Sequence, residues 1–277
     1  MSSGGHKTLS VAVAGIAGRM GRQLAAAVID RGLTLSGGSE IAAAGVFDED
    51  IGTLAGRRPV GLWPSADPAE AAARADVWID FTRPEGTLAA LRALNTTSVH
   101  AVIIGTTGFT PEQEALIGDA AGRFAIVKAG NFSVGINLLE ALVRQAAASL
   151  GSDWDIEILE SHHRLKVDAP SGTAIMLGEA AAGGRGASLN ALQAAPYLGG
   201  NAKRREGAIG MAVRRAGGIY GEHEVMFASP REVIRLSHMA LDRTVFAEGA
   251  VQAALWAARQ EPGLYSMNDV LGLSHTG

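Results

Sequence analysis

The sequence predicts an α/β chain whose first half winds helices on a parallel sheet and whose second half is a separate α+β region. Three observations carry that expectation. Short apolar runs alternate with amphipathic stretches as far as Asn131, the pattern of repeated βα units. The first apolar run feeds a glycine-rich turn that opens a helix. Beyond Asn131 a long helical stretch is followed by strand-like runs, the last three with no helix between them.

Taken in order, residues 9–14 are apolar and end at Gly15. Residues 19–31 carry Met20, Leu24 and Val28 at i, i+4 and i+8, and Gly32 stops that helix. A second strand, 33–39, ends at Glu40. Further strands are expected at 76–81, 100–104 and 124–127, with helices at 85–94 and from Pro111. Thr110-Pro111-Glu112-Gln113 combines an N-cap threonine, a proline at N1 and a glutamine at N3, which is a capping box. Parallel strands joined this way take right-handed crossovers. Residues 133–150 read as one helix with Val134, Leu138, Leu142 and Val143 on one face. Strands follow at 154–160, 209–215, 222–228 and 232–238. Gly217-Gly218 and Ser229-Pro230 break the last three, which are expected to pair antiparallel. The stretch 183–206 reads as a loop or mobile segment, and 244–260 as a closing helix before Pro262-Gly263. Trp63, Trp78, Trp154 and Trp256 read as core or packing residues.

At 277 residues the chain holds one or two domains, and 47% hydrophobic with 19% charged residues is an ordinary globular balance. A formal net charge of -4 gives no global attraction to nucleic acid or to an anionic membrane. With Cys 0, disulfides, thiolate nucleophiles and cysteine-bound metals are excluded, and a reducing, cytoplasmic compartment fits. No apolar run approaches the ~20 residues that span a bilayer. Residues 1–6 are Ser/Gly-rich without an apolar stretch, so a frayed tail is expected there and not a secretory signal.

The turn Gly15-Ile16-Ala17-Gly18-Arg19-Met20-Gly21 lies between strand and helix, where backbone N–H groups close on a pyrophosphate. Its spacing is G-x-x-G-x-x-G, and a glycine-rich turn that merely packs helix on strand is the plain alternative. Glu40 at the end of the next strand favours the dinucleotide, because a carboxylate there accepts both ribose hydroxyls of adenosine. Gly105, Thr106 and Thr107 follow another strand at its carboxyl end and suit a nicotinamide ribose or an ordinary turn. Ala129, Gly130, Asn131 and Phe132 have the same standing, with Asn131 bonding an amide or capping the long helix.

The segment from Glu160 to Thr173 is the most informative. It starts at a strand end, contains His162, His163, Arg164 and Lys166, and runs through Pro170 and Ser171 into a helix start. First-turn N–H groups near Gly172 and Thr173 form an anion site, and the cations beside them suit a substrate with two carboxylates. A histidine there supplies a proton near neutral pH. Against this, neighbouring histidines on a strand point to opposite faces, one buried and one solvated. No H-E-x-x-H occurs and the two histidines converge poorly on one ion, so no metal is expected. No G-x-S-x-G elbow supports a serine hydrolase. His223, between Glu222 and Glu224, reads as structural or as a supporting partner. His6, His100, His238 and His275 belong to no constellation.

These motifs, in this order, resemble the dihydrodipicolinate reductase family. The matching segments are Val13 to Gly21, Asp80-Phe81-Thr82-Arg83-Pro84, Gly105 to Phe109, Asn131 to Gly135, and Glu160 to Ala174. Gly221-Glu222-His223 and Phe246 to Val251 match as well. The resemblance implies a Rossmann-type dinucleotide-binding domain, 1–132 completed by 243–277. It also implies an α+β substrate-binding and oligomerisation domain with an open mixed sheet, 133–242. It implies a homotetramer that reduces 4-hydroxy-tetrahydrodipicolinate, with loss of water, to tetrahydrodipicolinate in lysine and diaminopimelate synthesis. It makes His162 the proton donor, Lys166 a second catalytic cation, and His163, Gly172 and Thr173 substrate ligands. Gly15, Ile16, Ala17, Gly18, Arg19, Met20, Glu40, Gly105, Thr106, Thr107, Ala129, Gly130, Asn131 and Phe132 would hold NADH or NADPH. Some relatives place an arginine after the ribose-binding carboxylate; here it is Ile41, and Arg19 is the one cation the turn supplies. NADH is therefore expected to serve at least as well as NADPH. Two rival readings stay open. One is a nicotinamide-dependent dehydrogenase of another aspartate-derived acid. The other is a nicotinamide sensor without chemistry.

Overall fold

A computed structural model describes residues 8–197, 200 and 202–273. The frayed tail expected at residues 1–6 lies outside them, as do His6 and His275. Contacts divide the chain into two units, Met1–Phe132 with Thr244–Gly277, and Ser133–Arg243.

Among the described residues of the first unit, β1 (Ser10–Ala14), β2 (Thr34–Ser39), β3 (Val77–Asp80), β4 (Ala101–Ile104), β5 (Ala125–Lys128) and β10 (Gly263–Tyr265) form one parallel sheet. Its order is β10-β5-β4-β3-β1-β2. The strands carry continuous apolar runs because helices cover both faces, and Val11, Ile79, Ile103 and Val127 are fully buried. On one face Trp78, Val102, Ile104 and Ile126 pack with Leu88, Leu91 and Leu94 of α4 (Pro84–Leu94) and Ile117 of α5 (Pro111–Ala120). On the other, α1 (Arg19–Asp30) meets α9 (Thr244–Ala257), which also packs on β3, β4 and β5. The capping box at Thr110 is present. Two short helices, α2 (Ile51–Leu54) and α3 (Pro68–Ala71), and the 3₁₀ turn Ala42–Ala44 gave too few residues for a readable period. The closing helix ends at Ala257, earlier than expected. A three-residue strand, β10, follows behind what reads as a Pro-Gly turn, and α10 (Met267–Val270) follows that. Trp78 is core, whereas Trp63 is 57% exposed.

In the second unit, β6 (Asp155–His162), β7 (Ile209–Arg215), β8 (Glu222–Ala228) and β9 (Val233–Met239) form a mixed sheet of order β7-β6-β8-β9. The expected antiparallel pairing holds for β8 and β9 but is corrected for β7, which pairs parallel with β6 and does not neighbour β8. The reason lies in the connection. The chain leaves β6 through α7 (Gly172–Gly184) and α8 (Leu189–Leu192), and a helical crossover returns a strand parallel. That also corrects the loop expected at 183–206, whose start belongs to α7 and whose middle holds α8; residues 198, 199 and 201 lie outside the described set.

The long helix α6 (Val134–Ser149) forms, but its buried face differs from the expected one. Ile136, Leu139, Val143 and Ala147 face the core, while Leu138 and Leu142 are 45% and 46% exposed. Two apolar rows run along α6, and α7 selects one of them. Its Gly184 comes so near that a Cβ would stand 2.3 Å from the Arg144 carbonyl oxygen. No described helix is long and apolar enough to cross a membrane.

Candidate active site

In the first unit the chain order places β1 between β2 and β3, so the strand direction of progress reverses at β1. The crevice outside the carboxyl ends there is where open α/β sheets bind ligands. Gly15, just past β1, has φ +61°, and a Cβ on Gly21 would lie 1.9 Å from the Gly15 carbonyl oxygen. Glycine is thus needed once to reverse the chain and once to let α1 close on the turn. Gly18 is the N-cap of α1 and offers no side-chain cap, and Gly18 and Arg19 are exposed. Ala17 and Met20 flank them half-buried. This cradle fits a pyrophosphate at a helix N-terminus. Ile16 turns the other way: its side chain is fully buried and its N–H donates to the Ser39 carbonyl at 3.0 Å.

Glu40 sits directly beside the turn. Its Oε2 accepts from the Ala17 N–H at 3.0 Å and its Oε1 from the Ile41 N–H at 2.9 Å. Each oxygen keeps acceptor capacity for a ribose hydroxyl. Arg19 is the one cation within the turn, and a second, Arg22 of α1, folds back onto it and donates Nε–H to the Ala17 carbonyl at 2.8 Å.

At the ends of β3 and β4 a polar knot forms that sequence reading missed. Asp80 is buried, and its Oδ1 accepts from the Thr82 N–H (3.0 Å) and from the hydroxyls of Thr82 (2.6 Å), Thr87 (3.1 Å) and Thr106 (3.2 Å). Thr106 is therefore buried by its own bonds, while Thr107 beside it is exposed. Gly105 lies under Phe81, whose ring a Cβ would meet at 2.3 Å, and the Phe81 and Phe132 rings stand 5.2 Å apart. Ala129, Gly130 and Asn131 leave β5, with Gly130 exposed. The cap of α6 is Ser133, whose hydroxyl accepts from the Ile136 N–H, and not Asn131.

The second unit assembles the histidines. His162 is the last residue of β6 and is buried, and His163 just past the strand is half-exposed. His162 Nδ1 lies 2.6 Å from Glu160 Oε2. Glu160 is 1% exposed and also receives Arg215 Nη1 (2.7 Å), Arg215 Nη2 (2.9 Å) and the Ser171 N–H (3.0 Å). Burial alone would raise the Glu160 carboxyl, but Arg215, His162 and Ser171 outweigh it and hold it below its ordinary value. Burial is also the largest influence on His162 and lowers it; Glu160 pulls back, Lys166 and Arg215 push further down, and the result lies below the ordinary value.

Ser171 is the N-cap of α7, its hydroxyl accepting from the Ala174 N–H, so Gly172 and Thr173 open the helix. Gly172 is exposed, and a Cβ there would meet nothing within 4 Å. Lys166, in the connecting loop, is paired with Asp168 at 2.8 Å. A ligand carboxylate near that helix start would compete with the exposed Asp168 for the ammonium. His223 does more than its strand pattern announced. Its Nε2 is 3.1 Å from the Ser171 hydroxyl, its ring stands edge-on to His162 at 5.1 Å, and across the strands it pairs with His238. Burial first, then the neighbouring His162, lowers His223 to about 4. Among the described residues no cluster of three His, Asp or Glu side chains is placed to hold a metal ion.

A buried histidine oriented by a carboxylate, beside a lysine and a helix N-terminus, can give a proton to a bound anion. Sequence could have flagged Glu160 and Arg215 only as charged residues inside strands, since nothing local pairs them.

Known proteins agree with this architecture. The family described as dihydrodipicolinate reductase, N-terminus, matches residues 9–132, and dihydrodipicolinate reductase, C-terminus, matches residues 135–271. The 4-hydroxy-tetrahydrodipicolinate reductase of Rhodopseudomonas palustris (strain BisB18) is 49% identical over 95% of this chain and 97% of its own length. That of Parvibaculum lavamentivorans is 49% identical over 96% of this chain and 98% of its own. In fold, the chain is similar to the dipicolinate-bound dihydrodipicolinate reductase from Paenisporosarcina sp. TG-14. The TM-score is 0.75 and identity 24%, covering 94% of this chain and 97% of that one.

Proposed function

The chain belongs to the dihydrodipicolinate reductase family, and from that membership we propose that it reduces 4-hydroxy-tetrahydrodipicolinate to tetrahydrodipicolinate with a nicotinamide cofactor. The reaction belongs to diaminopimelate and lysine biosynthesis, in the cytoplasm. The observation that carries the reading is the buried Glu160–His162 pair beside Lys166 and the N-terminus of α7. A sensor without chemistry has no use for an acid held in this way.

The cofactor residues fit the group. Gly15, Gly18 and Gly21 leave room for the pyrophosphate, Arg19 and Met20 open the helix that faces it, and Glu40 accepts from the ribose. Gly105, Thr107, Ala129, Gly130 and Asn131 line the carboxyl ends of β4 and β5. Ile16, Thr106 and Phe132, all buried, act by shaping those turns. When bound, the dihydronicotinamide supplies the hydride. The chain supplies the rest. First-turn N–H groups at Gly172 and Thr173 and the cation of Lys166 hold a substrate carboxylate, with His163 beside them. His162 delivers the proton that matches the hydride. The dipicolinate carried by the Paenisporosarcina relative, a planar dicarboxylate, supports this class of substrate. The protein assembles as a homotetramer through the second unit.

The test is a coupled assay of the purified chain with substrate formed in situ from pyruvate and aspartate semialdehyde. Oxidation of the reduced cofactor that depends on both precursors is expected, and its absence refutes the reading. His162→Gln should lower turnover by ~10²–10⁴-fold, the usual contribution of a positioned acid, with cofactor affinity nearly unchanged. Unchanged turnover returns His162 to a packing role.

A further inference from the structure

Glu160 receives more than a structural ion pair requires. Arg215 already satisfies it with two parallel bonds, at 2.7 and 2.9 Å, which neutralise its charge. Two further contacts have other destinations. Oε1 accepts from the N–H of Ser171, the N-cap of α7, and Oε2 makes the shortest contact, 2.6 Å to His162 Nδ1. Arg215 Nη2 also donates to the Asp168 carbonyl at 2.7 Å, fixing the loop that carries Lys166. One carboxylate thus ties together the acid, the helix start and the loop that the proposed function uses.

An ionised carboxylate only accepts hydrogen bonds, so the nitrogen facing it must carry a proton. Nδ1 therefore keeps its hydrogen in both states of the ring, and Nε2 is the nitrogen that gains and loses one. Gly221 faces Nε2, and a Cβ there would stand 3.2 Å from it. The glycine keeps that nitrogen uncrowded.

We propose that Glu160 is a positioning residue for the reduction: with Arg215 and the Ser171 N–H it holds His162 as the Nδ1–H tautomer, so that the transferred proton leaves from Nε2. The inference rests on His162 as the proton donor. The charged and titratable groups that face His162 are Glu160 on its own strand, Arg215 on β7, His223 on β8 and Lys166 from the loop; α7 presents the uncharged Ser171. Of these, Glu160 alone raises the affinity of His162 for a proton, against burial, Lys166 and Arg215. Removing its charge moves the pH at which His162 loses its proton downward.

Nitrogen-15 NMR of the imidazoles gives the first test, with the His162 signals assigned by their loss in His162→Gln. Neutral His162 should carry its proton on Nδ1; an Nε2–H form overturns the proposal, and no variant of Glu160 is needed to see it. In Glu160→Gln, the amide oxygen satisfies Arg215 and the amide NH₂ faces Nδ1, so the neutral ring should switch to Nε2–H. Turnover should fall at least about tenfold and by no more than the ~10²–10⁴-fold that the acid contributes. The alkaline limb of the kcat profile should move to lower pH, KM for the nicotinamide cofactor should hold, and Glu160→Asp should restore part of the rate. If His162→Gln abolishes turnover while Glu160→Gln keeps the wild-type rate and pH profile, Glu160 has no positioning role. Full turnover in His162→Gln sinks the parent reading instead, whatever Glu160 does.

Discussion

Glu40 owes its position to two backbone bonds, one from the glycine-rich turn and one from its own successor. A carboxylate so placed accepts from both hydroxyls of an NADH ribose and repels the 2′-phosphate of NADPH, which carries nearly two negative charges near neutral pH. A cation at the next position would offset that repulsion, but Ile41 stands there, 70% exposed. Arg22 is committed to the Ala17 carbonyl, which leaves the exposed Arg19 as the other guanidinium beside the turn. NADH should therefore serve at least as well as NADPH, and Ile41→Arg should raise kcat/KM for NADPH more than for NADH. Both cofactors are compared at one salt concentration in wild type and variant. A strong wild-type preference for NADPH would assign the decision to Arg19 or to another cation.

Elements meet this protein's chemistry where they pack closest. Helix α1 approaches its turn only because position 21 lacks a side chain. Gly21→Ala would push the helix from Gly15, so cofactor affinity should fall by tenfold or more while the second unit keeps its fold. Calorimetric titration with NADH against far-UV circular dichroism separates the two; unchanged affinity would show that α1 can shift without disturbing the turn. The strands β6, β8 and β9 set Glu160, His223 and His238 in one cross-strand row. His223 falls from an ordinary 6.5 to about 4 on folding, so the unfolded chain binds the proton more readily between those values. Stability should thus drop as pH falls from about 6.5 to about 4, with His162 and His238, also lowered by burial, acting in the same direction. His223→Asn should flatten that slope in urea titrations run across the window, and an unaltered slope would show that His223 is not buried neutral.

At the scale of the whole molecule, among the described residues the helices of the second unit cover its sheet on one side only. Helices α6 and α7 lie on the face of Ile156, Ile158, Val225 and Phe227. By register, the opposite face carries Leu159, Ala212, Met226, Val233 and Met239, with Arg235 paired to Glu224 at 3.5 Å. Val233 and Met239 are 47% and 60% exposed, and among the described residues no helix of that unit covers this face. A sheet face that mixes exposed apolar side chains with complementary charges such as Glu224 and Arg235 suits burial against a copy of itself. Light scattering is expected to give a tetramer, and Met226→Arg a smaller species. A wild-type monomer at working concentration would refute the assembly.

The sequence by itself determined the first five strands of the parallel sheet, the glycine-rich turn after β1 and the capping box at Thr110, and it singled out the segment from Glu160 to Thr173 as the candidate site. Those features are local: a period, a cap or a glycine constrains its own few residues. Partners were decided only by the tertiary structure. Nothing near Glu160 announces Arg215, which is 55 positions away and arrives because the α7 crossover lays β7 parallel to β6. Asp80 becomes the hub of Thr82, Thr87 and Thr106 because β3 and β4 end side by side. The two apolar rows of α6 are equivalent to any reading of periodicity, and the glycine and alanines of α7 choose between them by how closely the helices approach. Periodicity fixes which residues avoid water; which partners they avoid it with depends on the path of the chain between them.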